Sequence, residues 1–310
     1  MKNKIQLLCA ANILFITYFL ISLLPDAGNE QYHFLLLTGL MIAVEAFFLI
    51  WSFADRDAER VSNIGKNVAV VYFVVDVWLL LSQKTGVINT HLFPAPGLVL
   101  DQFFSDFGGL IAATGNSLRT IFTGFILAVA AAVPLGLVLG WYKQVRSPAN
   151  FVVRFLSAIP PIVFIPYAVA LLPSFRAASI FVIFIAAYWP TMSGTMHGVV
   201  SIDKRILDSA RALNVGTKDM LLRIILPASL PHIFSGANTG LAFAFILLTS
   251  AEMIGADTEH PGLGYYIQNY SNFGNFKRVI LGIIFIGIVI CLISVGFRKI
   301  QNYLLRWRAE

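Results

Sequence analysis

"DSARALNVGTKDMLLRIILPASLPHIFSG", residues 208–236, decides how this chain is read. It is a charged segment set between two long apolar stretches. Just ahead of it, Asp203 is placed to cap a helix by accepting from backbone N–H groups one turn in. Ile206, Leu207, Ala210 and Leu213 then recur at helical spacing, with Lys204, Arg205, Asp208 and Arg211 on the other side. Asn214 suits a left-handed helix end. Val215 and Gly216 make the turn, and Thr217 can cap a second helix. That helix carries Met220, Leu221 and Ile224 up to Leu226-Pro227, where the next apolar span begins. The pattern predicts a short helix, about 203–214, lying across one face of a membrane. A surface loop whose apolar stripe merely rests on the membrane fits the pattern equally well.

The surroundings of that segment are those of an integral membrane protein. The chain has 310 residues, of which 58% are hydrophobic and only 12% charged. A soluble domain carries about 25% charged residues. The apolar residues come in blocks of roughly 18–25, the length that crosses a bilayer core as a helix. Period-two alternation is absent, so the spans read as helices and the fold class as all-α. Cys9 and Cys291, the two cysteines, both lie inside apolar blocks, which excludes a disulfide framework. The N-terminal run from Met1 to about Pro25 has no small-x-small cleavage site after it and reads as an uncleaved span rather than a signal peptide.

Eight spans are expected: about 6–25, 33–53, 67–83, 117–141, 151–172, 177–198, 229–254 and 279–297. The fifth is broken by Pro160, Pro161 and Pro166, a feature tolerated at membrane depth where it faces protein or a cavity. The stretch 92–114 is too broken and polar to span. Val99, Phe103 and Leu110 give it one apolar face, as in a helix lying in the interface. Gly136 with Gly140, and Gly236 with Gly240, allow close helix approach.

Charge sets the direction. With the N-terminus in the cytoplasm, 17 of the 22 basic residues fall on the cytoplasmic side, leaving only Lys84, Arg119, Arg176, Lys277 and Arg278 elsewhere. That bias follows the positive-inside rule and places both termini and the 203–214 helix in the cytoplasm. The net charge of +6 therefore reports topology and gives no sign of a nucleic-acid partner.

The opening segment resembles the cytoplasmic Glu-Ala-Ala loop of ABC importer permeases: Glu-Ala-Ala, three residues, Gly, nine residues, Ile-x-Leu-Pro. Asp208, Ser209 and Ala210 stand at the first three positions, Asn214 at the glycine, and Ile224-Ile225-Leu226-Pro227 closes the motif. Each departure keeps its chemistry: acid, small, left-handed-permissive. "FPAPGLVLDQF" from Phe93, "NSLRTIFTGFILA" from Asn116, "IPPIVFIPYAVALL" from Ile159 and "AEMIGADTEHPGLGYYI" from Ala251 are similar to the nitrate, sulfonate, taurine and bicarbonate branch of that family. Where that branch often closes the fifth span with Gly, Leu171-Leu172-Pro173 stands here. Residues 1–61 lie outside the resemblance, as an additional helix pair ahead of a permease core at 62–310.

The resemblance implies the transmembrane domain of a type I ABC importer, located in a bacterial inner membrane. Two copies would enclose a central pathway. Two separate ATPase subunits, carrying ATP and Mg, would each receive one coupling helix, with Asp208, Ser209, Ala210, Arg211, Leu213, Asn214 and Gly216 as the coupling residues. An external binding protein would deliver a small oxyanion. The chain holds no Gly-x4-Gly-Lys-Ser/Thr loop, so it has no ATPase site of its own, and it shows no His-x-x-x-His or paired-Cys metal spacing. A permease for another small solute, such as a thiamine-precursor-like pyrimidine, is the alternative. A secondary transporter is a further rival, though no inverted repeat is visible.

Ionisable residues inside spans default to functional candidates. Glu45 and Asp76 have structural readings through neighbouring hydroxyls. Glu252 either helps form an outer gate or makes structural hydrogen bonds. Arg119 sits in the outer turns of a span with Asn116, Ser117 and Thr123 at helical spacing around it. Its guanidinium fork suits a planar oxyanion. It has a second reading, snorkelling to the interface or pairing with Asp106.

Overall fold

The computed structural model of the chain describes residues 2–27, 34–54, 57–255 and 259–306. All regular structure in them is helical: α1 (Lys2–Ser22), α2 (Phe34–Ala54), α3 (Ala58–Leu79), α4 (Pro96–Trp141), α5 (Lys143–Ala158), α6 (Ile165–Leu171), α7 (Phe175–Val200), α8 (Lys204–Ala212), α9 (Thr217–Asp219), α10 (Leu226–Ile254), α11 (Leu263–Asn272) and α12 (Phe276–Leu304). Arg56 and Arg308, counted among the basic residues, lie outside the described residues, as do His33 at the start of the second expected span and residues 256–258 of the quoted "AEMIGADTEHPGLGYYI".

Within the described residues each expected span is helical over most of its length. Six stretches are long and apolar enough to cross a membrane, and the pair Lys143–Ala158 and Pro161–Leu171, bent by 76°, makes a seventh. The eighth, Ala10–Ser22, is a shorter apolar helix. The bend falls at Ile159-Pro160-Pro161, where two successive prolines remove backbone donors and a 3₁₀ turn over Pro161–Phe164 follows. At the end of α6, Leu172 is extended (φ −96°, ψ 150°), so no glycine is needed there. The following Pro173 itself disfavours helical geometry at Leu172.

Two expected breaks are absent. Residues 92–114 do not form a separate interfacial helix. From Pro96 onward they are the first part of α4, which runs unbroken for 46 residues, about 69 Å at helical rise. Gly108, Gly109 and Gly115 weaken helix propensity but keep their N–H groups, so they do not end it. Nor does Leu226-Pro227 interrupt the chain, since helix continues from Thr217 to Ile254. A π-helical turn over Met220–Ile225, in which Leu226 N–H bonds to Leu221 C=O, widens the backbone just ahead of Pro227 and accommodates its ring.

The contacts divide the chain into two compact units. The first comprises residues 1–108 and 269–283. In it α1, α2 and α3 are joined by polar pairs at apolar depth. Tyr72 OH donates to Glu45 Oε2 at 2.8 Å, Thr17 Oγ1 to Asp76 Oδ2 at 2.8 Å, and Tyr18 and Thr38 share a hydrogen bond of 2.9 Å. Lys84 Nζ meets Asp26 at 2.7 Å. Asp106 is held by Arg278 at 2.6 Å and by Gln102 at 3.0 Å, which corrects the expected Arg119–Asp106 pairing.

The second unit comprises residues 109–268 and 284–310. Its core joins Ile121, Phe125 and Ala128 of α4 to Ile183 and Ala187 of α7 and to Leu241, Ala244 and Phe245 of α10. The glycine pairs act as expected. A Cβ on Gly136 would lie 2.7 Å from Thr195 Cβ, and one on Gly240 would lie 2.9 Å from Ala187 Cα. Small residues let α4 and α10 press onto α7, which substitutes van der Waals contact for the hydrophobic drive that lipid does not supply.

Candidate functional site

The helix expected at 203–214 forms as α8, and its ends explain its boundaries. Asp203 caps it, accepting from Arg205 N–H at 2.9 Å. The same carboxylate takes the Arg205 guanidinium at 2.6 Å, and that hydrogen bond holds its pKa below the usual carboxylate range. At the far end Asn214 has φ +51°, the sole positive φ of a non-glycine among the described residues. Val215 N–H then bonds to Ala210 C=O at 3.2 Å and Asn214 N–H to Arg211 C=O at 2.9 Å. These 6→1 and 5→2 bonds are a Schellman cap, complete with contact between Val215 and Ala210 in one apolar cluster. Thr217 is not a cap: Gly216 takes that position, with no side-chain bond.

The apolar stripe of α8 divides in two. Ala210, 5% exposed, and Leu207 turn inward against Val199, Met220 and Ile225. Ile206 and Leu213 turn outward, 49% and 79% exposed. A residue larger than alanine at 210 would lift the helix from this seat. Asp208 and Arg211 pair at 3.0 Å on the exposed side, and Ser209 Oγ donates to Arg205 C=O at 2.8 Å. The result is a rigid, doubly capped helix that keeps its own fold with one apolar edge uncovered.

A second polar centre lies at the other end of the unit. Glu252, 9% exposed, accepts from Ser117 Oγ at 2.8 Å and from Gly264 N–H at 2.8 Å. Ser117 Oγ in turn accepts from Leu263 N–H at 3.0 Å. The carboxylate therefore sits at the N-terminus of α11, where free N–H groups favour negative charge. The space is tight: a Cβ on Gly262 would fall 2.0 Å from Glu252 Oε1. Asn116 Nδ2 donates to Pro261 C=O at 3.1 Å, tying the same turn to α4.

Asn116 and Glu252 thus line one recess together with Thr120, Arg176, Ser179 and His260. Its free volume of about 20 Å³ has room for roughly one water. Ser179, 3% exposed, points its hydroxyl there with no partner among the described residues. Arg176 and Ser179 were not singled out from sequence. The signal was the Ser174 cap, which accepts from Ala177 N–H and so places both residues in the first turns of α7. Arg119 and Thr123 are not in this recess. They lie one turn apart on an exposed face of α4, with Thr123 Oγ1 donating to Arg119 C=O at 2.7 Å.

Successive membrane-length helices, a short capped helix between two of them, and no strand among the described residues define the class of a membrane permease domain. The family described as binding-protein-dependent transport system inner membrane component matches residues 132–308, and the chain belongs to it. A probable ABC transporter permease of Brucella abortus is 31% identical over 80% of this chain and 98% of its own. The nitrate import permease NrtB of Leptolyngbya laminosa is 32% identical over 76% of this chain and 88% of its own. The bicarbonate transport system permease CmpB of Synechococcus elongatus is 29% identical over 64% and 70%. Among solved structures, an inward-facing form of the MetNI methionine ABC transporter has a chain of the same fold, with TM-score 0.54, 17% identity and coverage of 63% of this chain and 95% of that one.

Proposed function

We propose that this chain is the pathway-forming subunit of an ATP-driven importer for a small oxyanion of the nitrate or bicarbonate kind. Two copies enclose the pathway, each docks one ATPase through α8, and an external binding protein delivers the substrate. The observation that carries the reading is α8 itself. It is a short helix seated by Ala210, locked by caps at Asp203 and Asn214, and left with Ile206 and Leu213 uncovered. Such a helix transmits a push as a rigid body. The basic excess on its side of the chain supports a cytoplasmic position for it and for both termini.

The oxyanion reading draws on the named relatives and on the polar edge of α4. Asn116, Arg119 and Thr123 stand at i, i+3 and i+7, and Arg119 and Thr123 are exposed in the single chain. A guanidinium facing lipid is costly, so an exposed one on a spanning helix belongs on a water-filled surface. Arg119 stands 22 residues from Trp141, about 33 Å along the helix against a ~30 Å hydrocarbon core, which supports a position at the outer mouth. Glu252 there acts as the brace that fixes α11 against α4 and α10.

The test is uptake of nitrate, bicarbonate and taurine by the chain reconstituted with its ATPase and binding protein, for the wild type and Arg119→Gln. The reading expects ATP-dependent uptake of one of these anions. In the variant, ATP hydrolysis should persist while uptake falls at least tenfold. Unchanged uptake at saturating binding protein removes Arg119 from the pathway. Uptake of a neutral pyrimidine in place of all three anions would assign the permease to the other substrate class.

A further inference from the structure

A cavity of about 520 Å³ opens beside α8, between the ends of α4 and α7. Four cations line it, Lys143, Arg146, Lys204 and Arg211, against one carboxylate, Asp208. Arg211 is already engaged with Asp208 at 3.0 Å and lies 5.8 Å over the Trp141 ring. Arg146 is anchored by its Nε to Gly140 C=O at 2.8 Å, which fixes the guanidinium at the C-terminal end of α4. Lys143 and Lys204 make no ion pair among the described residues. The rest of the wall mixes the amide of Gln144 with the aliphatic Val199, Val200 and Leu207. A cavity far larger than a bare phosphate, lined by both cationic and aliphatic side chains, sits where the two spanning helices α4 and α7 end.

We propose that this cavity binds a phosphate-bearing anion, with the phosphodiester of an anionic membrane lipid as its best-matched source. Lys143 and Lys204 would hold the phosphate oxygens as mobile point charges, and Arg146 would supply a fixed one. The glycerol and first methylenes would lie on Val199 and Val200. Trp141 and Tyr142, also in the wall, have the amphipathic rings that favour headgroup depth. The uncovered apolar edge of α8, with Ile206 and Leu213, is the stronger docking edge for the ATPase and points elsewhere. At 100° per residue, Ile206 lies on the order of 150° around the helix from the mean direction of Lys204, Leu207, Asp208 and Arg211. One bound lipid would therefore brace the polar face of α8 while its apolar edge docks. The site depends on the chain being in a membrane and not on which solute it carries.

The experiment uses the full chain assembled with its ATPase in nanodiscs of mixed phosphatidylglycerol and phosphatidylcholine. Native mass spectrometry then counts retained lipids over a range of ionic strength. The wild type is expected to retain phosphatidylglycerol selectively, with the preference declining as salt rises. Lys143→Gln with Lys204→Gln should lower that preference roughly thirtyfold, about fivefold per lysine, and Lys→Arg at both should preserve it. If inorganic phosphate displaces the lipid in the wild type and not in the double Gln variant, the same site takes phosphate from solution. Equal phosphatidylglycerol retention by wild type and double Gln variant would overturn the proposal. So would lysine-directed cross-links from Lys143 to the ATPase in a complex that retains no lipid.

Discussion

Replacing Leu213 separates docking from folding. Its side chain is 79% exposed at the C-terminal cap of α8, where its backbone N–H bonds to Ser209 C=O at 3.2 Å. Burying a leucine fully is worth about 1.5–3 kcal/mol. If docking covers most of that exposed surface, Leu213→Ala should cost about 1–2 kcal/mol, a five- to thirtyfold weaker association with the ATPase. Leu213→Asp loses the same burial and adds an unpaired carboxylate in an apolar groove, several kcal/mol more. Association should then weaken by about a thousandfold or beyond, and co-purification should fail. The chain itself should insert normally, because surface substitutions remote from the core shift stability by about 0.5 kcal/mol or less. The assay is ATPase titration against the detergent-solubilised chain, with its melting temperature measured in parallel. Wild-type affinity in Leu213→Asp refutes the placement of Leu213 in the docked surface. A collapse of the melting temperature instead refutes its exposure.

Asn214 should be replaceable by Gly at little cost. Asn214→Val should lose about 1–2 kcal/mol in stability because a β-branched side chain is strained at φ +51°. Equal melting temperatures for the two variants would contradict the Schellman cap. Gly262→Ala should destabilise the chain by 2 kcal/mol or more, since its Cβ would fall 2.0 Å from Glu252 Oε1. Glu252→Ala in the same chain should restore part of that loss. A melting temperature unchanged by Gly262→Ala would show that the turn sits away from the carboxylate. A chain beginning at Asp57 keeps the cap of α3, where Asp57 accepts from Glu59 and Arg60, but leaves Tyr72 and Asp76 without Glu45 and Thr17. It should still bind the ATPase, with a lowered melting temperature that Tyr72→Phe partly recovers. Failure to bind would make the first helices integral to the core.

Much of this was legible in the sequence for identifiable reasons. The left-handed Asn214 and the Asp203 cap are local events, set by side-chain chemistry within five residues. The close approach at Gly136 and Gly240 follows from size alone. The continuity of α4 was not legible, because four glycines and two aspartates depress its first half while long-range packing keeps it helical. The π turn ahead of Pro227 escaped for a related reason: a proline reads as a stop, and only the structure shows the wider turn that absorbs it. The division of the α8 stripe was hidden as well. Spacing places Ile206, Leu207, Ala210 and Leu213 within about 120°, but the neighbours that cover half of that arc, Val199 and Ile225, come from α7 and the π turn outside α8. The recess beside Glu252 was half visible, in Asn116 and Glu252. Arg176 and Ser179 join it through tertiary packing that no periodicity encodes.

The most direct test of the account is anion accumulation in sealed proteoliposomes that contain this chain and its ATPase, with the binding protein on the side opposite α8. Labelled nitrate or bicarbonate should enter against its gradient only when ATP is supplied on the α8 side and binding protein on the other. Leu213→Asp should abolish both ATPase recruitment and accumulation while leaving the chain in the membrane. Accumulation that proceeds without ATP, or ATP-driven accumulation undiminished in Leu213→Asp, would contradict the claim that α8 couples an external motor to the pathway.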